Sequence, residues 1–223
     1  MMIFGIDLVL LIPALMISAT PVLLAAIGEA VVEKSGVLNL GVEGMMITGA
    51  VIGFVIAVST QNFCYSKLMS LPGFCSKDLI PVYGFICAAF AGALLSVLFA
   101  ILTQYLMSNQ VATGLGLTMV GLGLSALIGK PYEGIKSPTL TKLDIPILSE
   151  IPILGPMIFS HDLIVYFSIF VVATVAFVIK KTRVGLILRA VGENQEAAHA
   201  LGYKVIRIRF LAIMFGGATA GIG

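Results

Sequence analysis

The stretch KKTRVGLILRAVGENQEAAHALGYKVIRIR, residues 180–209, interrupts an otherwise apolar chain and decides how the rest is read. It holds seven of the thirteen Lys and Arg residues and only two acids, Glu193 and Glu196, a net +5, whereas the remainder of the chain carries −3. Apolar runs flank it on both sides. A cation-rich connection between hydrophobic helices is what the positive-inside rule places in the cytoplasm. Within it, Gly192 to Gly202 reads as a short helix lying outside the membrane. Ala197, Ala198, Ala200 and Leu201 give that helix a small, partly apolar face. Glu193 and Glu196 fall near its N-terminal end, where the helix dipole favours acids. Gly202 suits the left-handed residue that ends a helix. Such a capped helix between two basic stems fits a groove on a soluble partner, and the plainer reading is an amphipathic connection.

Composition agrees with a membrane protein. Hydrophobic residues make up 59% of the chain and charged ones 11%, against roughly 45–50% and 25% in soluble domains. Mean hydropathy is +1.11. No Lys or Arg precedes Lys34, so the N-terminus lacks the basic start of a secretory signal and reads as a retained span. A bilayer core needs about 20 apolar residues per helix. Six segments meet this or nearly do: 6–28, 37–58, 82–106, 110–129, 162–180 and 207–223. The expected fold is an all-α polytopic bundle, one transmembrane domain over 1–223.

Fixing 181–206 inside and alternating backwards puts 130–161 outside and Ser108-Asn109 inside. The same alternation puts 59–81 outside, 29–36 inside and the N-terminus outside. Cys64 and Cys75 would then face an oxidising side, where a disulfide is permitted, and eleven residues of separation leave their pairing open. Gly49-x-x-x-Gly53, Ala88-x-x-x-Gly92 and Gly217-x-x-x-Gly221 each put two small residues on one helix face, the pattern of close helix packing. The last segment, 207–223, spans about 26 Å at about 1.5 Å per residue, short of the roughly 30 Å core. It reads as cut within a helix.

Chemistry is sparse. There is no HExxH pair, no Walker A sequence, and no histidine in a span to activate Ser125. The three cysteines fit no metal pattern. An ionisable residue inside a span marks by default a functional site or a buried pair. Asn39 and Glu43 are four apart and would share a helix face, although Gly36, Gly41 and Gly44 make continuous helix doubtful there. A broken helix exposes backbone groups that bind polar solutes. Asn39 and Glu43 are therefore candidates for a solute path, with a structural hydrogen bond as the alternative. Asn109 and Gln110, opening the fourth span, either cap that helix or line the same path.

The run RAVGENQEAAHALG, 189–202, resembles the coupling segment of ABC importer permeases, with its EAA-x-x-x-G core present. GEAVVEKSGVLNLGVEGMMITGA, 28–50, is similar to the start of permeases in the simple-sugar and nucleoside uptake group. SNQVATGLGLTMVGLGLSALIG, 108–129, and IPILSEIPILGPMIFSHD, 145–162, resemble the same group. Branched-chain amino-acid permeases look like more distant relatives. The resemblance implies that Glu196, Ala197, Ala198 and Gly202, with Gly192, Glu193 and Asn194 leading in, contact a cytoplasmic ATPase subunit. It further implies a second permease subunit, an external solute-binding lipoprotein and a place in a bacterial inner membrane. ATP and Mg2+ would belong to the partner ATPase, and this chain would be no enzyme. Lipid is the expected surrounding, and no nucleic acid is expected as a partner. Two rival readings compete: an ion-coupled secondary transporter, which would want ion-binding groups deep in several spans, and a non-transporting permease remnant or scaffold.

Overall fold

A computed structural model describes residues 2–3, 6–67, 79–138, 140, 142–144 and 160–223. Its long elements are α1 (Leu8–Lys34), α2 (Val42–Lys67), α3 (Leu79–Ala100), α4 (Gln110–Gly129) and α5 (Leu163–Lys181). The shorter α6 (Arg183–Glu193) and α7 (Gln195–Ala200) precede α8 (Val205–Ile222). A π-helical turn (Ile101–Tyr105) follows α3, a 3-10 turn (Lys130–Tyr132) follows α4, and two antiparallel strand pairs complete the described elements: β1 (Met2–Ile3) with β2 (Ile6–Asp7), and β3 (Lys142–Asp144) with β4 (Ser160–Asp162). Six of the helices are long and apolar enough to cross a membrane. The chain is a multi-pass, helical membrane protein.

The fourth span keeps its expected bounds, Gln110–Gly129, because a capping Asn109 fixes its start. Two others are corrected. The first helix runs on from 28 to Lys34, since Glu29, Glu33 and Lys34 are good helix formers and nothing stops the helix before Gly36. The second begins at Val42 rather than 37 and continues to Lys67 rather than 58. Its polar end, Ser59 to Asn62, stays helical because backbone bonding does not stop where apolarity does. Residues 68–78, including Cys75, and 145–159 lie outside the described residues. Cys64 is disulfide-bonded, and Cys87 is free.

Association of helices in lipid gains nothing from hiding apolar surface, so it rests on close packing. All three small-residue motifs lie at such contacts. A Cβ at Gly53 would stand 2.9 Å from the Gly84 carbonyl oxygen, and the reverse holds for Gly84. Gly92 of α3 meets Gly217 and Gly221 of α8, while Gly221 also touches Ala88 of α3 and Gly49 of α2. Gly28 of α1 lies against Gly216 and Thr219. Helix α8 is thus the hub that α1, α2 and α3 share. Around it Val32, Met45, Phe99, Ile213 and Ala220 form the buried core. The outer faces carry exposed Phe90, Met119 and Leu127, each more than 70% accessible, as a lipid-facing surface should.

The contacts also give helix directions. Pairing of Gly41 with Gly114 and of Gly44 with Gly121 makes α2 and α4 parallel. Contacts of Gly53 with Ala88 and Ala57 with Gly84, of Ser96 with Gly217 and Ala88 with Gly221, and of Gly28 with Thr219 and Val32 with Gly216 make α3 antiparallel to α2 and α8, and α1 antiparallel to α8. The 35–41 connection, the turn before α4 and the basic 181–206 connection therefore share one end of the bundle. That is the alternation expected from the sequence.

Candidate functional site

At this polar end the chain folds into an elbow. Thr182 ends α5 and starts α6: its hydroxyl donates to the Val178 carbonyl (2.7 Å) and accepts from the Gly185 N–H (3.4 Å). Arg189 reaches back to the Ile179 carbonyl (2.5 Å). The expected single helix from Gly192 to Gly202 is in fact two. Asn194 breaks it, with extended backbone (φ −149°, ψ 100°), and its Oδ1 accepts from the Ala197 N–H at 3.0 Å as the N-cap of α7. Asparagine supplies that cap because its short side chain reaches the third amide of the next turn. Glu193 is consequently the last residue of α6, where the helix dipole does not favour an acid. Only Glu196 keeps the expected place in a first turn.

Gly202 ends α7 as the sequence suggests. Its φ is +86°, its N–H donates to His199 O (2.9 Å), and Tyr203 N–H donates to Ala198 O (3.1 Å). This is the Schellman arrangement. Ala198 is buried against Val191 and Val205, so it faces into the elbow rather than outward. Glu193, Asn194, Glu196, Ala197, His199 and Ala200 are exposed. Gly192 presses on the end of α1: a Cβ there would collide with the Lys34 carbonyl oxygen.

Beside the elbow lies the break between α1 and α2. Helix α1 closes through the same device as α7, with Gly36 at φ +81°, Gly36 N–H on Glu33 O (2.9 Å) and Val37 N–H on Val32 O (3.4 Å). Residues 38–40 then run without helical bonds, and their backbone groups find other partners. Leu38 N–H donates to the Gln110 Oε1 (2.8 Å), Asn39 N–H to the Glu29 Oε1 (3.1 Å), and Gly41 N–H to the Asn39 Oδ1 (3.0 Å). Thr118 donates to Leu40 O at 3.2 Å.

Asn39 and Glu43 do not share a helix face, and the doubt that Gly36, Gly41 and Gly44 cast on a continuous helix is borne out. Asn39 lies in the irregular segment, 2% exposed, and its side chain serves its own turn. Glu43 stands in the first turn of α2 and is exposed. Gly36 and Gly41 break the helix before Asn39 can join it. Asn109 is a cap, its Oδ1 accepting from Val111 and Ala112 (2.9 and 3.2 Å). Gln110 holds the broken segment. The residue that sequence reasoning missed is Glu29, which organises this segment from α1 while its Oε2 is buried without a hydrogen-bond partner. The available signal was a carboxylate one helical turn inside Glu33, within an apolar span.

Among the described residues no cluster of His, Cys, Asp and Glu could hold a metal ion.

Comparison with known proteins gives the family. A family model described as the permease component of branched-chain amino acid transport systems matches residues 11–223. A provisionally named glucose ABC transporter permease protein of Haloferax volcanii is 34% identical over 208 residues, covering 92% of this chain and 58% of its own length. The guanosine ABC transporter permease protein of Bacillus subtilis is 32% identical over 223 residues, covering 96% of this chain and 65% of its own. A nucleoside ABC transporter permease protein of Lactococcus lactis subsp. cremoris is 29% identical over 219 residues, with the same two coverages. The chain thus spans 58–65% of the length of these relatives. No solved structure matches it.

Proposed function

The chain belongs to the family of permease components of branched-chain amino acid transport systems, and from that premise we propose that it is a transmembrane subunit of an ATP-driven importer for nucleosides or simple sugars. Its partners are a cytoplasmic ABC ATPase, a second permease subunit and an external solute-binding lipoprotein, in the inner membrane of a bacterium. ATP and Mg2+ are handled by the ATPase, since permease components are not themselves enzymes. One observation carries the reading: α7, capped at both ends and exposed along Glu196, Ala197, His199 and Ala200, projects from an elbow packed on the end of α1. The names of the relatives support this reading over an ion-coupled carrier or a non-transporting scaffold.

In this reading Glu193, Asn194, Glu196 and Ala197 face the ATPase. Gly192, Ala198 and Gly202 shape the elbow that presents them. The solute passes near the broken segment, with Glu43 open to it, while Asn39, Asn109 and Gln110 hold the backbone in place. An uncharged sugar or nucleoside offers hydroxyls to a carboxylate and needs no opposing ion.

A photocrosslinker placed singly at Ala197, Ala198 and Ala200 tests the docking in membranes of the native host. Ala197 and Ala200 should capture an ABC ATPase, and the buried Ala198 should not. A complex that contains an ATPase yet never crosslinks to the exposed positions would refute the docking. Uptake of labelled guanosine and glucose into vesicles, with and without ATP, reads the solute class.

A further inference from the structure

Arg209 sits in the second turn of α8, where the guanidinium bridges two otherwise separate parts of the polar end. Its Nε–H donates to the Ser35 carbonyl at 3.0 Å, and its Nη1–H to the Gln195 Oε1 at 2.9 Å. Ser35 caps α1, so its carbonyl is one of the acceptors a helix C-terminus leaves open, and a cation there also meets the favourable end of the dipole. The guanidinium lies over Gly36, whose ideal Cβ would stand 3.0 Å from Nη2 and 3.1 Å from the Gly192 Cα. Gln195 is the first residue of α7. Among the described residues, its bond to Arg209 is the one hydrogen bond that a side chain of α7 makes outside the elbow's own turn.

Ser35 opens the irregular segment. Three residues beyond Gly36 comes Asn39, pinned to α1 through Glu29, and beside it Leu38, pinned to α4 through Gln110. A displacement of α7 therefore has a polar route into the segment: Gln195, Arg209, Ser35, Gly36, then Leu38 and Asn39. The apolar cluster of the elbow, Val191, Ala198 and Val205, is separate from the core cluster that holds Val37, and α6 itself meets the segment backbone to backbone where Gly192 lies on Gly36. Packing thus seats α6 on the break, and the guanidinium adds the polar link from α7 to it.

We propose that Arg209 is a positioning residue for transport, tying movement of α7 to the backbone of residues 35–41. This rests on the importer reading above. The guanidinium suits the task because it stays charged and can serve two acceptors at once, which a lysine ammonium does less well.

The test uses the assembled importer, purified with its ATPase, reconstituted into proteoliposomes and supplied with guanosine or glucose. Complex yield, ATP hydrolysed and solute taken up are measured together. Arg209→Gln and Gln195→Ala should keep yield, keep hydrolysis within about twofold, and lower uptake per ATP about tenfold. Gln195→Glu should retain uptake within about twofold, because a carboxylate still accepts from the guanidinium. Gln195 is exposed, so its variants do not threaten folding. Wild-type uptake per ATP in Arg209→Gln and Gln195→Ala overturns the proposal. So does uptake that falls only in step with yield, or a Gln195→Glu variant as impaired as Gln195→Ala. A wild-type preparation that binds no ATPase refutes the importer reading itself, whereas a coupled wild type indifferent to Arg209 refutes the link alone.

Discussion

Gly192 of α6 and Lys34 of α1 meet backbone to backbone, with no space for a Cβ between the glycine and the Lys34 carbonyl. The contact joins two segments 158 positions apart in the chain and seats the elbow on the bundle. A methyl group there must displace backbone, since no side chain is available to yield. Gly192→Ala should therefore loosen the elbow by about 1–3 kcal/mol, the usual cost of overpacking. Limited proteolysis at Lys180 to Lys204 would read it as faster cleavage with the spans still inserted. Unchanged protection would show that the elbow can shift at no cost.

Glu29 holds the Asn39 N–H through one carboxylate oxygen. Glutamine can keep that acceptor at the same reach, and leucine cannot. Glu29→Gln should accordingly fold close to wild type, while Glu29→Leu strands a buried amide at about 1–3 kcal/mol. Thermal midpoints of the purified protein in detergent would separate them, and equal midpoints would remove Glu29 from the support of this segment.

Glu43 and Asn39 should behave differently. Glu43 is exposed on α2, so Glu43→Gln is expected to slow uptake modestly and Glu43→Leu severely, with complex yield retained. Asn39 is buried and satisfies its own turn, so Asn39→Leu should lower the yield of folded protein before any transport defect can be measured. Wild-type uptake in Glu43→Leu would take that carboxylate out of the solute path.

The α3–α8 seam gives the strongest structural prediction. Gly221 touches Ala88, Gly92 and Gly49 at once, so Gly221→Val should force two helices apart and cost about 3 kcal/mol, the upper end for overpacking. Gly116 and Gly123 of α4 face open space, and a Cβ there meets nothing within 4 Å. Alanine at either should leave folding unchanged. Expression as membrane-inserted, monodisperse protein compares the three, and a tolerated Gly221→Val would contradict the packing.

How far the sequence could be read depends on which force sets each feature. Apolar length fixes the spans, so six were visible, and Asn109 marked the start of α4 to the residue. Positive φ also leaves a trace, because Gly202 and Gly36 stand where only glycine is comfortable. Local reading failed where a distant partner decides the outcome. Nothing near Asn39 says that Glu29 will take its amide, and nothing near Gln195 says that Arg209 will reach it from fourteen positions away. The stretch 192–202 read as one helix because Gln195 to Ala198, Ala200 and Leu201 are mostly good helix formers. Asn194 splits it by capping α7 from outside, a geometry that propensity alone does not distinguish from a helical asparagine.

Helix α8 meets α1, α2 and α3 at Gly28, Gly49 and Gly92 through glycine, carbonyl and Cα atoms as well as side chains. Side chains can absorb a small shove by changing rotamer, and peptide planes have no such slack. A torque applied at the base of α8 would therefore arrive at its far end with little backlash, carrying three neighbours as one block. In such an assembly, stiffness comes from what the residues lack, and the freedom to bend is left to the joints at Gly36, Asn194 and Gly202.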